Sequence, residues 1–127
     1  MRYAMNRDVS ILVLDDDESI TRLTRSVLTM HGYNVTECNN PNDALDIIKS
    51  QSFDIILVDI IMPKMNGISF IRQARKLQKN ANTKYTILSG KKLSENDRRE
   101  IFDMDTEIMN KPFIPQKLVE KIGEILG

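Results

Sequence analysis

Five polar side chains sit where four separate apolar runs end. Asp15 and Asp16 follow Ile11-Leu12-Val13-Leu14, Asp59 follows Ile55-Ile56-Leu57-Val58, Ser89 follows Thr86-Ile87-Leu88, and Lys111 lies just past Ile108-Met109. Ligand sites in open parallel sheets lie outside the carboxyl ends of the strands, so such a fold would bring all five to one crevice. Three carboxylates within reach of one another repel by roughly 3 kcal/mol per pair at a separation of 5 Å and an effective dielectric of 20. They must bind a cation, bind a proton, or stand apart. Oxygen donors without nitrogen or sulfur favour Mg²⁺, which keeps several waters and uses one or two carboxylates together with phosphate oxygens. With charge neutralised, a carboxylate can act as a nucleophile toward phosphorus, a reaction that needs mainly positioning and electrostatics. Asp59 is the best nucleophile, being alone at the end of the most apolar strand. The adjacent Asp15 and Asp16 suit metal holding, the Ser89 hydroxyl could bond a phosphoryl oxygen, and Lys111 would neutralise charge opposite the metal.

The elements that must position these groups alternate in type. Residues 10–14 form an unbroken apolar run, the pattern of a strand buried on both faces. Residues 18–31 switch to helical spacing, with Ile20, Leu23, Val27 and Met30 as the stripe, Asp17 as N-cap and Gly32 as the stop. Residues 33–38 read as a second strand. In Asn40-Pro41-Asn42-Asp43 a cap residue, a first-turn proline and a first-turn acid open a helix carried by Ala44, Leu45, Ile47 and Ile48. Residues 53–58 are the most hydrophobic strand, the expected centre of the sheet. A third helix from Gly67 is expected to bury Ile68, Ile71, Ala74 and Leu77, and residues 85–88 form the fourth strand. Ser94 and Asp97 resemble a capping box at the start of a helix through Ile101 and Phe102. Residues 106–109 are the fifth strand, and a last helix from Pro115 carries Leu118, Val119, Ile122, Ile125 and Leu126. Five βα units in one short chain imply an α/β fold, a doubly wound parallel sheet with helices on both faces.

Composition narrows the function classes. The chain has 127 residues, the size of one domain, with 41% hydrophobic and 28% charged residues. Lys+Arg and Asp+Glu both total 18, so no net field points to nucleic acid or an anionic membrane. The single cysteine, Cys38, cannot form an internal disulfide and reads as a small apolar strand residue. His31 falls in the last turn of a helix, where partial positive charge suits the dipole. Neither residue joins the acidic constellation, which argues against zinc. The first apolar stretch begins only at Val9 and meets three aspartates at once, unlike a signal peptide. No run approaches the roughly 18–20 apolar residues of a spanning helix. The expectation is a cytoplasmic protein without membrane insertion or direct nucleic-acid binding.

The segments Ile11-Leu12-Val13-Leu14-Asp15-Asp16-Asp17, Asp54-Ile55-Ile56-Leu57-Val58-Asp59 with Met62-Pro63 and Asn66-Gly67, Leu88-Ser89-Gly90, and Asn110-Lys111-Pro112-Phe113 together resemble the receiver domain of two-component response regulators. The resemblance runs nearly end to end, from Val9 to Leu126, and four motifs in order at workable spacing make it specific. It implies a single-domain, flavodoxin-like (βα)5 sheet of strand order 2-1-3-4-5, with residues 1–8 as an N-terminal arm and 9–127 as the receiver. It implies Asp59 as the phosphoacceptor, supplied by a histidine kinase or a histidine phosphotransfer protein. Mg²⁺ would be bound directly by Asp16 and Asp59, through water by Asp15, and by the backbone carbonyl of Ile61. Ser89 matches the switch hydroxyl and Lys111 the lysine that pairs with the acceptor or its phosphate, while Gly90 leaves space beside the phosphoryl group. The Lys111–Pro112 bond matches one that is usually cis, and Ile61 and Lys91 match positions flanking the water that hydrolyses the phosphoryl group. The output would be a switched protein-interaction surface made by the fourth helix, fifth strand and fifth helix, acting on a downstream target or an output domain, with a phosphorylation-dependent dimer among the forms open to it. Such a protein is not an enzyme beyond its own phosphoryl transfer and hydrolysis.

The chain departs from the family's pattern twice. Ile108 stands where the family often has a rotating Tyr or Phe three residues before the lysine, so there is no ring to report phosphorylation. Asp103-Met104-Asp105 replaces a Gly-Ala type of turn. An aspartate-nucleophile phosphatase of the haloacid-dehalogenase type would need a Gly-Thr continuation after its acids, where this chain has Asp17-Glu18-Ser19. An inert pseudo-receiver would lack one of the acids, the acceptor or the lysine, and all are present. A flavodoxin shares the architecture, yet three acids would repel its flavin phosphate.

Overall fold

Each of the five strands is short, and their side chains alternate between two separate cores, one on each side of the sheet. In the computed structural model, which describes residues 8–78, 82–90, 92–111 and 114–127, the elements run β1 (Ser10–Leu14), α1 (Glu18–Met30), β2 (Asn34–Cys38), α2 (Pro41–Ser50), β3 (Ile55–Asp59), α3 (Gly67–Leu77), β4 (Lys84–Ser89), α4 (Glu95–Asp103), β5 (Glu107–Asn110) and α5 (Pro115–Leu126). All neighbours are parallel, in the order β2-β1-β3-β4-β5. Leu12, Leu14, Ile56 and Val58 turn toward a core closed by α2, α3 and α4, through Ala44, Ile48, Phe70, Ile71, Ala74 and Ile101. Ile11, Val13, Ile55 and Leu57 turn toward a second core closed by α1 and α5, through Leu28, Leu118 and Ile122. A central strand covered on both faces has no solvent side, which is why β3 is buried along its whole length.

The helix boundaries follow local chemistry. The Asp17 carboxylate accepts from the Ser19 N–H at 2.9 Å, Asn40 accepts from Asn42 and Asp43, Asn66 from Ser69, and Ser94 from Asp97. At the end of α1, Gly32 has φ 90° while Tyr33 N donates to Leu28 O and Gly32 N to Thr29 O, a Schellman stop. The same pattern closes α4 with Asp105 at φ 52°, Thr106 N donating to Ile101 O and Asp105 N to Phe102 O. This is the turn where the family often carries a glycine, and aspartate is among the few residues that adopt the left-handed region at modest cost.

Four helix faces differ from the sequence-based expectation, the mildest case being α5, where Leu126 at the end of the expected stripe is exposed while Leu118 and Ile122 are buried. The buried side of α1 is Thr21, Thr24 and Leu28, while Leu23 and Met30 are 50% and 81% exposed. The helix is turned so that two threonines, which an apolar count ignores, face the sheet. In α3 the inward residues include Phe70, and Leu77 is largely exposed. In α4 only Ile101 is buried, and Phe102 stands 81% exposed. This lightly packed helix is tied to α3 by the Arg72–Glu100 ion pair at 2.5 Å.

The acidic pocket at the carboxyl edge of the sheet

The strand order reverses between β1 and β3, so their carboxyl ends open the crevice in which such sheets hold ligands. Register does the rest. Leu14 pairs with Val58, which sets Asp15 level with Asp59; Asp59 pairs with Leu88, one residue before Ser89; Ser89 pairs with Asn110, one residue before Lys111. Asp15 and Ser89 are each 1% exposed and Asp59 is 7% exposed, whereas Asp16 faces solvent. One carboxylate oxygen from each of Asp15, Asp16 and Asp59 lies within 4.8 Å of the others.

Lys111 reaches back across the pocket. Its Nζ donates to Asp15 Oδ2 and, at 3.3 Å, to Asp59 Oδ1. The backbone helps aim it, since Lys111 N donates to Ser89 O at 2.7 Å. Burial, then the Asp15 charge, push the Asp59 carboxyl above its ordinary value, and Lys111 only partly opposes them. Burial works against the Lys111 ammonium, yet its hydrogen bond to Asp15 and the charges of Asp15 and Asp59 hold its pKa above the usual lysine value. Three carboxylates against one ammonium leave two negative charges. The donor set and that charge fit a divalent cation bound by oxygen.

The loop after β3 is shaped by a close approach of main chain. Gly67 N donates to Ile60 O at 2.9 Å, and a Cβ on Gly67 would lie 2.7 Å from the Asp59 carbonyl oxygen. Between them, Lys64 takes φ 71° as Met65 N turns back to Pro63 O at 2.8 Å. Ile61, two residues after Asp59, is 53% exposed. At Gly90 a Cβ would make only ordinary contact with the Lys111 side chain, at 3.8 Å, so protein atoms alone do not require glycine there.

The structure therefore brings together Asp15, Asp16, Asp59 and Lys111, with Ser89 on the adjoining strand end. The roles expected of Lys91 and of the Lys111–Pro112 bond concern residues outside those described. Two residues support the site in ways that sequence reasoning misses: Gly67, which it gives only as part of a motif and a helix start, and Asn39, which it does not single out. Gly67 matters through a contact with main chain that no local pattern reveals. Asn39 donates through Nδ2 to the Asp15 carbonyl at 2.8 Å. The one signal that points to Asn39 is strand register, because Leu14 pairs with Cys38 and the next residues, Asp15 and Asn39, are level.

An open parallel sheet of the α/β class, with three acids and a lysine gathered at its switch point, offers a crevice whose oxygen donors suit a divalent cation. Comparison with known proteins makes this specific. The family described as response regulator receiver domain matches residues 11–123. The transcriptional regulatory protein CpxR of Escherichia coli K12 is 33% identical over 117 residues, covering 91% of this chain and 48% of its own length. The response regulator receiver protein CpdR of Brucella abortus is 28% identical, covering 91% of this chain and 95% of its own. The CheY-like receiver domain of Methanospirillum hungatei superposes with a TM-score of 0.85 at 29% identity, covering 93% of both chains. The chain belongs to the response regulator receiver domain family. It spans about half the length of CpxR, and its acidic pocket fits a phosphorylation and Mg²⁺ site. Among the described residues no helix is long and apolar enough to cross a membrane.

Proposed function

We propose that Asp59 accepts a phosphoryl group from a histidine kinase or a histidine phosphotransfer protein and thereby switches a protein-interaction surface. The observation that carries this is the Lys111 ammonium lying against both Asp15 and Asp59 in a pocket that retains an excess of negative charge. A carboxylate oxygen of Asp59 attacks phosphorus, the bond from phosphorus to the donor nitrogen breaks, and its electron pair leaves with the imidazole. Lys111 then faces the phosphoryl oxygens in place of the bare carboxylate, and the Ser89 hydroxyl donates to one of them. Asp16 and Asp59 would hold Mg²⁺ directly, Asp15 through water, with the Ile61 carbonyl as a further ligand. When bound, the ion supplies charge neutralisation for the transferring group.

Ser89 ends β4 and leads into the loop before α4, so its movement toward the phosphoryl oxygens is passed to a helix that, among the described residues, is held by one buried side chain of its own and an ion pair to α3. The surface that changes is α4, β5 and α5, where Phe102 is exposed. Phosphorylation selects a pre-existing minor state of this surface over the resting one, and that state docks a downstream protein, an output domain or a second copy. Residues 9–127 form the receiver and the setting is the cytoplasm; the arm expected over residues 1–8 falls almost wholly outside the described residues. The protein is not an enzyme on other substrates; the chemistry is confined to its own phosphoryl transfer and hydrolysis.

Intact-mass measurement after acetyl phosphate treatment, with and without Mg²⁺, tests the reading. The expected result is one Mg²⁺-dependent phosphoryl adduct on the wild type and none on Asp59→Asn. An adduct that persists undiminished in Asp59→Asn overturns it.

A further inference from the structure

Asp15 is held at four points. Its N–H donates to Cys38 O at 3.2 Å, its carbonyl accepts from Asn39 Nδ2 at 2.8 Å, Oδ1 accepts from Asp17 N at 3.0 Å, and Oδ2 accepts from Lys111. The first bond continues the β1–β2 ladder, the third comes from the same turn, and the fourth belongs to the site. Apart from Lys111, Asn39 is the residue among those described whose side chain reaches Asp15 from another loop. The same amide nitrogen also lies 3.0 Å from Thr21 Oγ1, and that hydroxyl donates in turn to Glu18 O at 3.0 Å. Thr21 is 1% exposed, so this end of the strap is anchored inside α1.

Asn39 therefore clasps the chain on both sides of Asp16, at Asp15 and at Thr21. Asp16 itself is exposed, and its carboxylate shares a 4.8 Å neighbourhood with those of Asp15 and Asp59. Like charges at that separation push the turn outward, and a turn free to yield would present its acids in a wider range of positions. We infer that Asn39 is a positioning residue for the divalent-cation site, fixing the Asp15–Asp17 turn so that Asp15 and Asp16 face a cation together. This rests on the Mg²⁺ reading given above. The role matches that of outer-shell partners, which orient metal ligands without touching the metal.

The test is Mg²⁺ titration of the unphosphorylated full chain, followed by backbone amide shifts at a temperature where circular dichroism shows every variant folded. Asn39→Ala should bind Mg²⁺ about tenfold more weakly than wild type, in the range set by loss of an outer-shell partner. The Asp17 amide should also exchange faster. Asn39→Ser, whose shorter side chain does not span to the Asp15 carbonyl, should show the same loss if the alanine variant folds poorly. Ile48→Val, a destabilising change in the opposite core, should leave the Mg²⁺ affinity unchanged. Wild-type affinity in Asn39→Ala or Asn39→Ser, whatever the loss of stability, overturns the inference while leaving the site intact. A wild type whose shifts ignore millimolar Mg²⁺ overturns the cation reading and this inference together.

Discussion

Gly67→Ala measures how tightly α3 is pressed against the strand that carries the acceptor. A Cβ there would sit 2.7 Å from Asp59 O, 3.1 Å from Ile60 Cα and 3.2 Å from Val58 Cγ1. Two of these neighbours are backbone, so no side chain can swing away to make room. Carbon contacts are comfortable at about 3.5–4.0 Å, so either the start of α3 or the end of β3 must shift. Overpacking of this kind costs about 1–3 kcal/mol. Against it stands the helical advantage of alanine over glycine, up to about 1 kcal/mol in a helix interior and less in the first turn. Gly123 supplies the reference, because it lies within α5 and a Cβ there would meet nothing within 4 Å. Gly123→Ala should stabilise the protein by about 0.5–1 kcal/mol. Urea denaturation of both variants, read as the difference between two identical substitutions, then isolates the contact. Gly67→Ala should fall below wild type by about 1–2 kcal/mol, the overpacking cost less the gain in propensity. Its Asp59 and Ile60 amide shifts should move, and its phosphorylation by acetyl phosphate should slow. A Gly67→Ala variant as stable as Gly123→Ala, with Asp59 unshifted, would refute the reasoning.

Four further outcomes are expected. Without Mg²⁺, Asp59→Asn should raise the melting temperature at neutral pH, because burial of the Asp59 carboxylate and then the like charge of Asp15 disfavour its ionised form and Lys111 offsets only part of this. The folded pKa of Asp59 is raised above 3.8, so its contribution is fully present below that value and lost as pH rises through the folded pKa; the gain from Asp59→Asn should therefore shrink toward zero in acid, and a gain independent of pH would count against the assignment. Thr86→Val should stabilise by about 1 kcal/mol in thermal unfolding, since the fully buried Thr86 Oγ1 has no hydrogen-bond partner among the described residues. Asp105→Gly should gain up to about 1 kcal/mol by relieving the left-handed turn after α4, and a loss in urea denaturation would show that the aspartate side chain contributes more than the strain costs. Ile61→Asn should shorten the phosphoryl lifetime several-fold by replacing an exposed apolar side chain beside Asp59 with one that can hold water, a rate change of tenfold corresponding to about 1.4 kcal/mol, and an unchanged lifetime by phosphate release would remove Ile61 from that role.

The sequence by itself determined the alternation of strands and helices, the caps at Asp17, Asn40 and Ser94, and the set of acids, hydroxyl and lysine at the strand ends. These are legible because they rest on local chemistry: a strand buried on both faces must be apolar throughout, a helix start needs an acceptor for its free N–H groups, and a parallel sheet gathers at one edge the residues that succeed its strands. Only the tertiary structure decided how each helix is rotated about its axis. Leu23, Met30 and Phe102 have apolar side chains at helical spacing, yet they face outward while Thr21 and Thr24 are buried. The rotation is set by fit against the sheet: the Thr21 hydroxyl finds a backbone acceptor at Glu18 O, whereas the buried Thr24 hydroxyl has no partner among the described residues and is carried inward by the packing of the helix. The sequence pairs Lys111 with the acceptor; the fold gives it Asp15 as well, because β1 and β3 are neighbours in space although α1, β2 and α2 lie between them in the chain. Asn39 and Gly67 belong to the same class. Each acts through a distance to main chain outside its own element, and such distances exist only once the register of the sheet and the seating of its helices are settled.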